Sequence, residues 1–169
     1  MKVLETDRLI LRHITKDDAG FIIKLMNEPS FIQNIGDKKV STKEDACRYI
    51  LDGPVDSYER FGFGLYLVEL KNAGTAIGIC GLIKRENLTD TDIGFAFLPE
   101  FRSKGYAYES ASAVLRYAKE ACGLNRILGI TSPDNTASIA VLEKLGLKFE
   151  SMIRLNANSP EIKLYAVNL

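Results

Sequence analysis

Apolar residues in this chain recur with two different periods, and the changes between them mark out its elements. Arg8-Leu9-Ile10-Leu11-Arg12-His13-Ile14 reads as a first strand. Thr15 then supplies an N-cap, with Asp17 and Asp18 in the first turn. A helix is expected from there to about Asn27, burying Ala19, Ile22, Ile23 and Met26. Ser41-Thr42-Lys43-Glu44 opens a second helix, with Ser41 as cap and Glu44 as its capping-box partner. From Phe63 the period shortens. Leu65–Leu70 is a strand, Lys71-Asn72-Ala73-Gly74 a hairpin turn, and Thr75–Lys84 the returning strand, interrupted by Gly78 and Gly81. Asp92–Leu98 and Arg126–Thr131 are further strands, and about Leu147–Leu155 and Glu161–Asn168 close the chain. Between them, Tyr106–Cys122 carries Ala107, Ala111, Val114, Leu115 and Ala118 at helical spacing, with Tyr108, Glu109, Ser112, Arg116 and Lys119 mostly opposite. Asn135–Leu145 is a last helix, stopped by Gly146.

Helices and strands interspersed in this order, with hairpins in the middle, predict an α/β (α+β) fold. The expected form is a mixed, mostly antiparallel twisted sheet with helices on both faces. No repeat, low-complexity tract or linker divides the chain, and 169 residues suit one domain, residues 1–169.

Composition narrows the function classes. Lys plus Arg and Asp plus Glu are 22 each, so the formal charge is zero. That balance argues against a nucleic-acid or membrane-surface partner, while leaving room for a local basic pocket. No apolar run reaches the ~18 residues of a membrane span, and the charged Met1–Asp7 stretch lacks a signal-peptide core. Cys47, Cys80 and Cys122 show no CxxC spacing, and His13 is the only histidine, so no metal site is expected. A reduced, cytoplasmic compartment is the simplest setting.

The candidate chemistry lies where Asp92–Leu98 gives way to the long helix, at Pro99-Glu-Phe-Arg-Ser-Lys-Gly-Tyr-Ala107. Pro99 ends the strand because it has no N–H for the ladder. The loop brings Arg102, Lys104 and the flexible backbone of Gly105 to a helix N-terminus with unpaired amides, a combination suited to an anion. A second segment, Ser132-Pro133-Asp134-Asn135-Thr136-Ala137-Ser138, also joins a strand to a helix. There Asn135 is a good N-cap and Ser138 occupies the third helical position.

Arg102-x-x-Gly105-x-Ala107 resembles the pyrophosphate-binding signature of the GNAT family of N-acetyltransferases. Asn135-x-x-Ser138, before a helix ending Glu-Lys-Leu-Gly-Leu-Lys-Phe, is similar to that family's second segment, in the same order. Glu5–Arg12 resembles the opening strand of the ribosomal-protein alanine N-acetyltransferase branch. Ile77-Gly78-x-x-Gly81 and Asp92-Ile93-Gly94-Phe95 resemble its central strands. The likeness covers nearly the whole chain except residues 27–62 and the last fifteen.

The resemblance implies a GNAT-like fold, acetyl-CoA as donor and a primary amine as acceptor, a protein N-terminus or a small amine. A polyamine, amino acid or amine drug is an alternative acceptor, and a non-catalytic CoA-binding sensor an alternative role. Monomer and homodimer both stay open. By the same likeness, the backbone of Phe97, Leu98 and Pro99 lines the pantetheine arm. The amides of Arg102, Ser103, Lys104, Gly105, Tyr106 and Ala107 hold the phosphates, and Asn135 and Ser138 flank the thioester. The backbone N–H of Phe97 is the implied oxyanion donor.

Asp92 stands where the family often carries an acid, which makes it the candidate base. It shares a strand face with the small residues Gly94 and Ala96. Its plain reading, the preferred one, is an acid at the edge of a hairpin, since Asp90 and Asp92 follow the Glu86–Thr89 turn. Where many relatives carry a general-acid tyrosine this chain has Leu142. The branch implicates a serine at the Ser138 position instead, so Ser138 is the acid candidate beside its reading as a helix-start residue. His13 and Glu109 have plain structural readings, and Cys122 near a helix C-terminus is no nucleophile. Direct transfer is therefore expected over an acyl-cysteine route.

Overall fold

The computed structural model describes residues 1–169. Eight strands form one sheet: β1 (Lys2–Glu5), β2 (Leu9–His13), β3 (Leu65–Leu70), β4 (Ala76–Ile83), β5 (Asp92–Phe97), β6 (Arg126–Thr131), β7 (Lys148–Ile153) and β8 (Ile162–Asn168). Their order across the sheet is β1-β2-β3-β4-β5-β6-β8-β7. Every neighbouring pair is antiparallel except β5 and β6, which are parallel and joined by the long helix crossover. The expected α/β architecture is the observed one.

Helices α1 (Ala19–Met26), α2 (Pro29–Asn34), α3 (Lys43–Ile50) and α4 (Asp56–Phe61) precede β3. Helix α5 (Tyr106–Glu120) links β5 to β6, and α6 (Thr136–Lys144) links β6 to β7. They lie on both faces of the sheet. Ala111, Val114, Leu115 and Ala118 of α5 and Leu142 of α6 share a core with Leu9, Leu11, Tyr66, Val68, Cys80, Leu82 and Ile127. On the opposite face Ile22, Leu25 and Met26 of α1 and Ala46 and Ile50 of α3 pack on Leu67 and Ile79.

Several local expectations are corrected. The second capping box sits one residue later: Asp45 N–H donates to Thr42 Oγ1 at 3.1 Å, and Thr42 N–H returns to Asp45 Oδ2 at 3.2 Å. Thr42 replaces Ser41 as cap because Lys43 is already helical. Helix α1 buries Leu25, whereas Ile23 is only partly covered. Strand β1 and helices α2 and α4 were not expected. At four to six residues they are too short to display a period, and α4 continues a π-helical turn at Leu51–Val55. At the other termini the structure trims one to three residues, as at Tyr106–Glu120 against Tyr106–Cys122.

The feature that positions the site is the weakness of the β5–β6 pairing. Only one residue pair is in register, Asp92, the first residue of β5, with Leu128, the third of β6. Beyond it the strands part, while β5 remains zipped to β4 along its length, from Asp92 with Ile83 to Phe97 with Gly78. The sheet therefore opens into a cleft between the C-terminal halves of β5 and β6.

Candidate active site

Antiparallel bonding alternates along a strand, so β5 sends successive backbone groups to opposite sides. Leu98 N–H donates to Ile77 O at 3.0 Å, across β4. Counting back in twos, Ala96 and Gly94 also face β4. Phe95 and Phe97 are left with their amides turned to the opened side. Phe97 O accepts from Arg102 Nε at 3.0 Å, so its N–H is the group left to face the cleft. Of the backbone groups expected to line a donor arm, Phe97 fits. Leu98 spends its N–H on Ile77, and Pro99 O accepts from Arg102 N at 3.2 Å. Phe95 was missed, although period-two counting from Phe97 finds it.

The loop after β5 makes one short turn at Pro99–Phe101 and then enters α5 through two left-handed residues, Ser103 at φ 60° and Gly105 at φ 84°. Successive turns of this kind gather N–H groups on one concave side. Gly105 is the N-cap residue of α5, and no side chain caps the helix behind it. The amides of the first turn, Tyr106 to Tyr108, are thus left to a ligand, with exposed Arg102, Ser103 and Lys104 around them. The structure brings the expected loop residues together, but the Arg102 amide already donates to Pro99 O and only its side chain remains available.

On the far side of the cleft Asn135 caps α6, accepting from Ser138 N–H at 3.2 Å. Its carboxamide nitrogen stays available as a donor, and the Ser138 hydroxyl is on a half-buried residue beside it. Leu142 is 2 % exposed and lies over Gly129, where a Cβ would come within 2.8 Å of Leu142 Cδ2. The position thus faces the core between α6 and β6, and Gly129 is needed for that close approach.

Asp92 sits at the closed end of the cleft, where β5 still meets β6. It stands at the first position of β5 after the hairpin, and it is buried, 1 % exposed. Arg85 Nε donates to Asp92 Oδ1 at 3.0 Å. Burial pushes the carboxyl up to about 6, with the Arg85 charge and hydrogen bond working against it. Arg85 was missed, because only the fold of the β4–β5 hairpin brings it back onto Asp92.

Glu109, read from sequence as a complement to the helix dipole, has a tertiary role. It accepts from Thr6 Oγ1 at 2.6 Å, Arg8 N at 3.0 Å and Arg8 Nε at 2.7 Å. Partial burial works to raise its carboxyl, but the bonds from Thr6 and Arg8 outweigh it and hold it below the usual range. His13 is on β2, separated from the cleft by β3 and β4, and stacks on Tyr58 at 4.0 Å. Burial raises the Cys122 thiol.

An opened β5–β6 pair beside an uncapped helix N-terminus offers strand-edge and helix-start amides side by side. The family model described as the acetyltransferase (GNAT) domain matches residues 8–148, and the chain belongs to that family. It is an enzyme of the acetyl-CoA-dependent N-acetyltransferase class. An uncharacterized N-acetyltransferase of Bacillus subtilis, YoaA, is 32% identical over 154 residues, covering 90% of this chain and 86% of the relative. The Aspergillus fumigatus FsC-acetyl coenzyme A-N(2)-transacetylase is 30% identical over 151 residues, 85% of this chain and 64% of its own length. In fold, an Agrobacterium tumefaciens acetyltransferase superposes with a TM-score of 0.83 at 23% identity, covering 99% of this chain and 94% of the other. RimL, a ribosomal L7/L12 alpha-N-protein acetyltransferase solved with coenzyme A, gives 0.82 at 17% identity, covering 100% and 98%. No helix is long and apolar enough to cross a membrane.

Proposed function

We propose that this cytoplasmic N-acetyltransferase moves the acetyl group of acetyl-CoA directly onto a free α-amine at a protein N-terminus. The donor half rests on one observation: β5 and β6 share a single registered pair, which turns the Phe95 and Phe97 amides to open space beside the α5 N-terminus. The acceptor half is supported by the full-length likeness to RimL, whose name states an alpha-N-protein substrate.

The residues take these roles. Amides from Ser103 to Ala107 bind the pyrophosphate, the Arg102 amide donating to Pro99 O instead, with the Arg102 and Lys104 side chains adding charge. The strand edge at Phe97 holds the extended arm as a neighbouring strand would. Phe97 N–H, with Phe95 one ladder step deeper, meets the carbonyl oxygen as it gains negative charge. Asp92, ionised above about 6, takes the proton that the ammonium acceptor must lose, through water along the cleft. The amine nitrogen then adds to the carbonyl carbon, giving a tetrahedral oxyanion. As this collapses the C–S bond breaks, and the second proton of the nitrogen goes to the departing thiolate, which leaves as the CoA thiol. Ser138 donates a hydrogen bond to the departing sulfur, which needs little more because a thiol pKa is ~8.5.

A second reading is a small-amine acceptor, favoured by the 30% identity to the N(2)-transacetylase. Mass spectrometry of a panel incubated with acetyl-CoA decides between them: peptides with free and blocked N-termini, polyamines, amino acids and amine drugs. Acetylation confined to free peptide α-amines is the expected result. Modification of small amines alone refutes the protein acceptor. Tight CoA binding without turnover anywhere in the panel refutes catalysis in favour of a sensor.

A further inference from the structure

The turn between β1 and β2 reaches across to the anion loop and touches it at one residue, Arg8. The turn itself is locked twice: Thr6 N–H donates to Leu9 O at 2.9 Å, and Leu9 N–H donates to Thr6 Oγ1 at 3.0 Å. From this base the Arg8 guanidinium makes a fork. Its Nε goes to Glu109 Oε2 at 2.7 Å and its Nη1 to Lys104 O at 3.0 Å. Its face lies over the Tyr106 ring, 4.4 Å from the centroid.

The bond to Lys104 O has a geometric consequence. The Lys104–Gly105 peptide is trans, so its C=O and N–H point in opposite directions. Pinning the carbonyl to Arg8 turns the Gly105 N–H away from Arg8, toward the concave side of the loop. Gly105 has no side chain to restrict its φ, so the peptide plane before it is free to take more than one orientation. Arg8 thus supplies the restraint that the glycine lacks. Glu109 holds the fork in place and is itself neutralised, so that no bare carboxylate in the first turn of α5 opposes an anion.

We propose that Arg8, oriented by Glu109, is a positioning residue for the donor's pyrophosphate, presetting the Gly105 amide toward it. This rests on the phosphate-loop reading above. A purely electrostatic role makes different predictions in sign. Arg8→Lys keeps the charge but cannot reach Lys104 O and Glu109 together. Glu109→Gln removes a negative charge near the anion yet loosens the fork.

Calorimetric titration of the intact protein with CoA separates the two. Positioning raises the Kd about tenfold in both variants, about 1.4 kcal/mol. In the 15N spectrum, the downfield shift of the Gly105 amide on CoA addition is present in wild type and diminished in both. Arg8 is half exposed, so the urea midpoint of Arg8→Lys is expected near wild type. Glu109 is 19% exposed and accepts three bonds, so Glu109→Gln is expected to lower the midpoint while circular dichroism shows the fold retained. Wild-type affinity in Arg8→Lys, or tighter binding in Glu109→Gln, overturns the positioning role while leaving the loop assignment standing. Failure of wild type to bind CoA overturns the loop assignment and this inference with it.

Discussion

Replacing Asp92 by Asn removes one titratable group and almost no volume, which makes it a clean probe of the closed end of the cleft. In the folded protein this carboxyl protonates at about 6, against 3.8 as a free side chain. Between those values the folded state keeps a proton that the unfolded chain has released. With more protons bound when folded, unfolding free energy falls as pH rises. The stability linked to this group is thus fully present below 3.8 and is lost as pH climbs through about 6. Two pKa units at about 1.4 kcal/mol each come to on the order of 3 kcal/mol. Asn does not titrate, so the variant lacks this slope. Urea unfolding of both proteins from about pH 4 to about pH 8 gives the difference curve directly. Its expected form is a rise of on the order of 3 kcal/mol in favour of the variant with increasing pH. The Arg85 ion pair forms with the ionised carboxylate and is already contained in the value of about 6. A flat difference, or one that falls with pH, refutes the description of Asp92 as a destabilised buried acid. In the same variant kcat/KM loses its rising limb near pH 6 if Asp92 is the base, whereas an unchanged profile removes it from the mechanism.

Gly105→Val forces a β-branched residue to a φ of 84° and brings a Cβ to 3.3 Å from Arg8 Nη2, so CoA affinity measured by calorimetry is expected to fall more than about tenfold while the fold survives. Ser138→Ala is expected to lower kcat more than it alters acetyl-CoA affinity, and normal turnover reduces the serine to a helix-start residue. Leu142→Tyr, which restores the residue common among relatives, is expected to lower stability by about 1–3 kcal/mol in urea unfolding and to bring no gain in kcat, because position 142 packs on Gly129.

Long periodic stretches were legible in the sequence because burial imposes its period on them. Helix α5 shows this: Ala111, Val114, Leu115 and Ala118 are buried where the pattern put them. The course of the Pro99–Ala107 loop was legible for a related reason, since a proline stop, a glycine and a helix start are all local signals. What stayed hidden depends on distant partners. Arg85 lies seven residues from Asp92 across a hairpin, and Arg8 is 101 residues from Glu109. No pattern within one window reports such pairings. The burial of Asp92 was hidden likewise, because its hairpin neighbours are polar and the cover comes from elsewhere in the fold. Segments of four to six residues, such as β1 and α2, were lost because a period needs several turns to show.

The parting of β5 from β6 also bears on how such a protein tolerates divergence. A donor held by strand-edge amides is recognised through atoms that every residue except proline possesses. Side chains along that edge are then free to drift without loss of the donor. On that account a proline scan of β5, far more than an alanine scan, would expose the contacts that matter. Selection on side chains is left to act where the acceptor enters, so orthologues that share one donor can part company in the amine they modify.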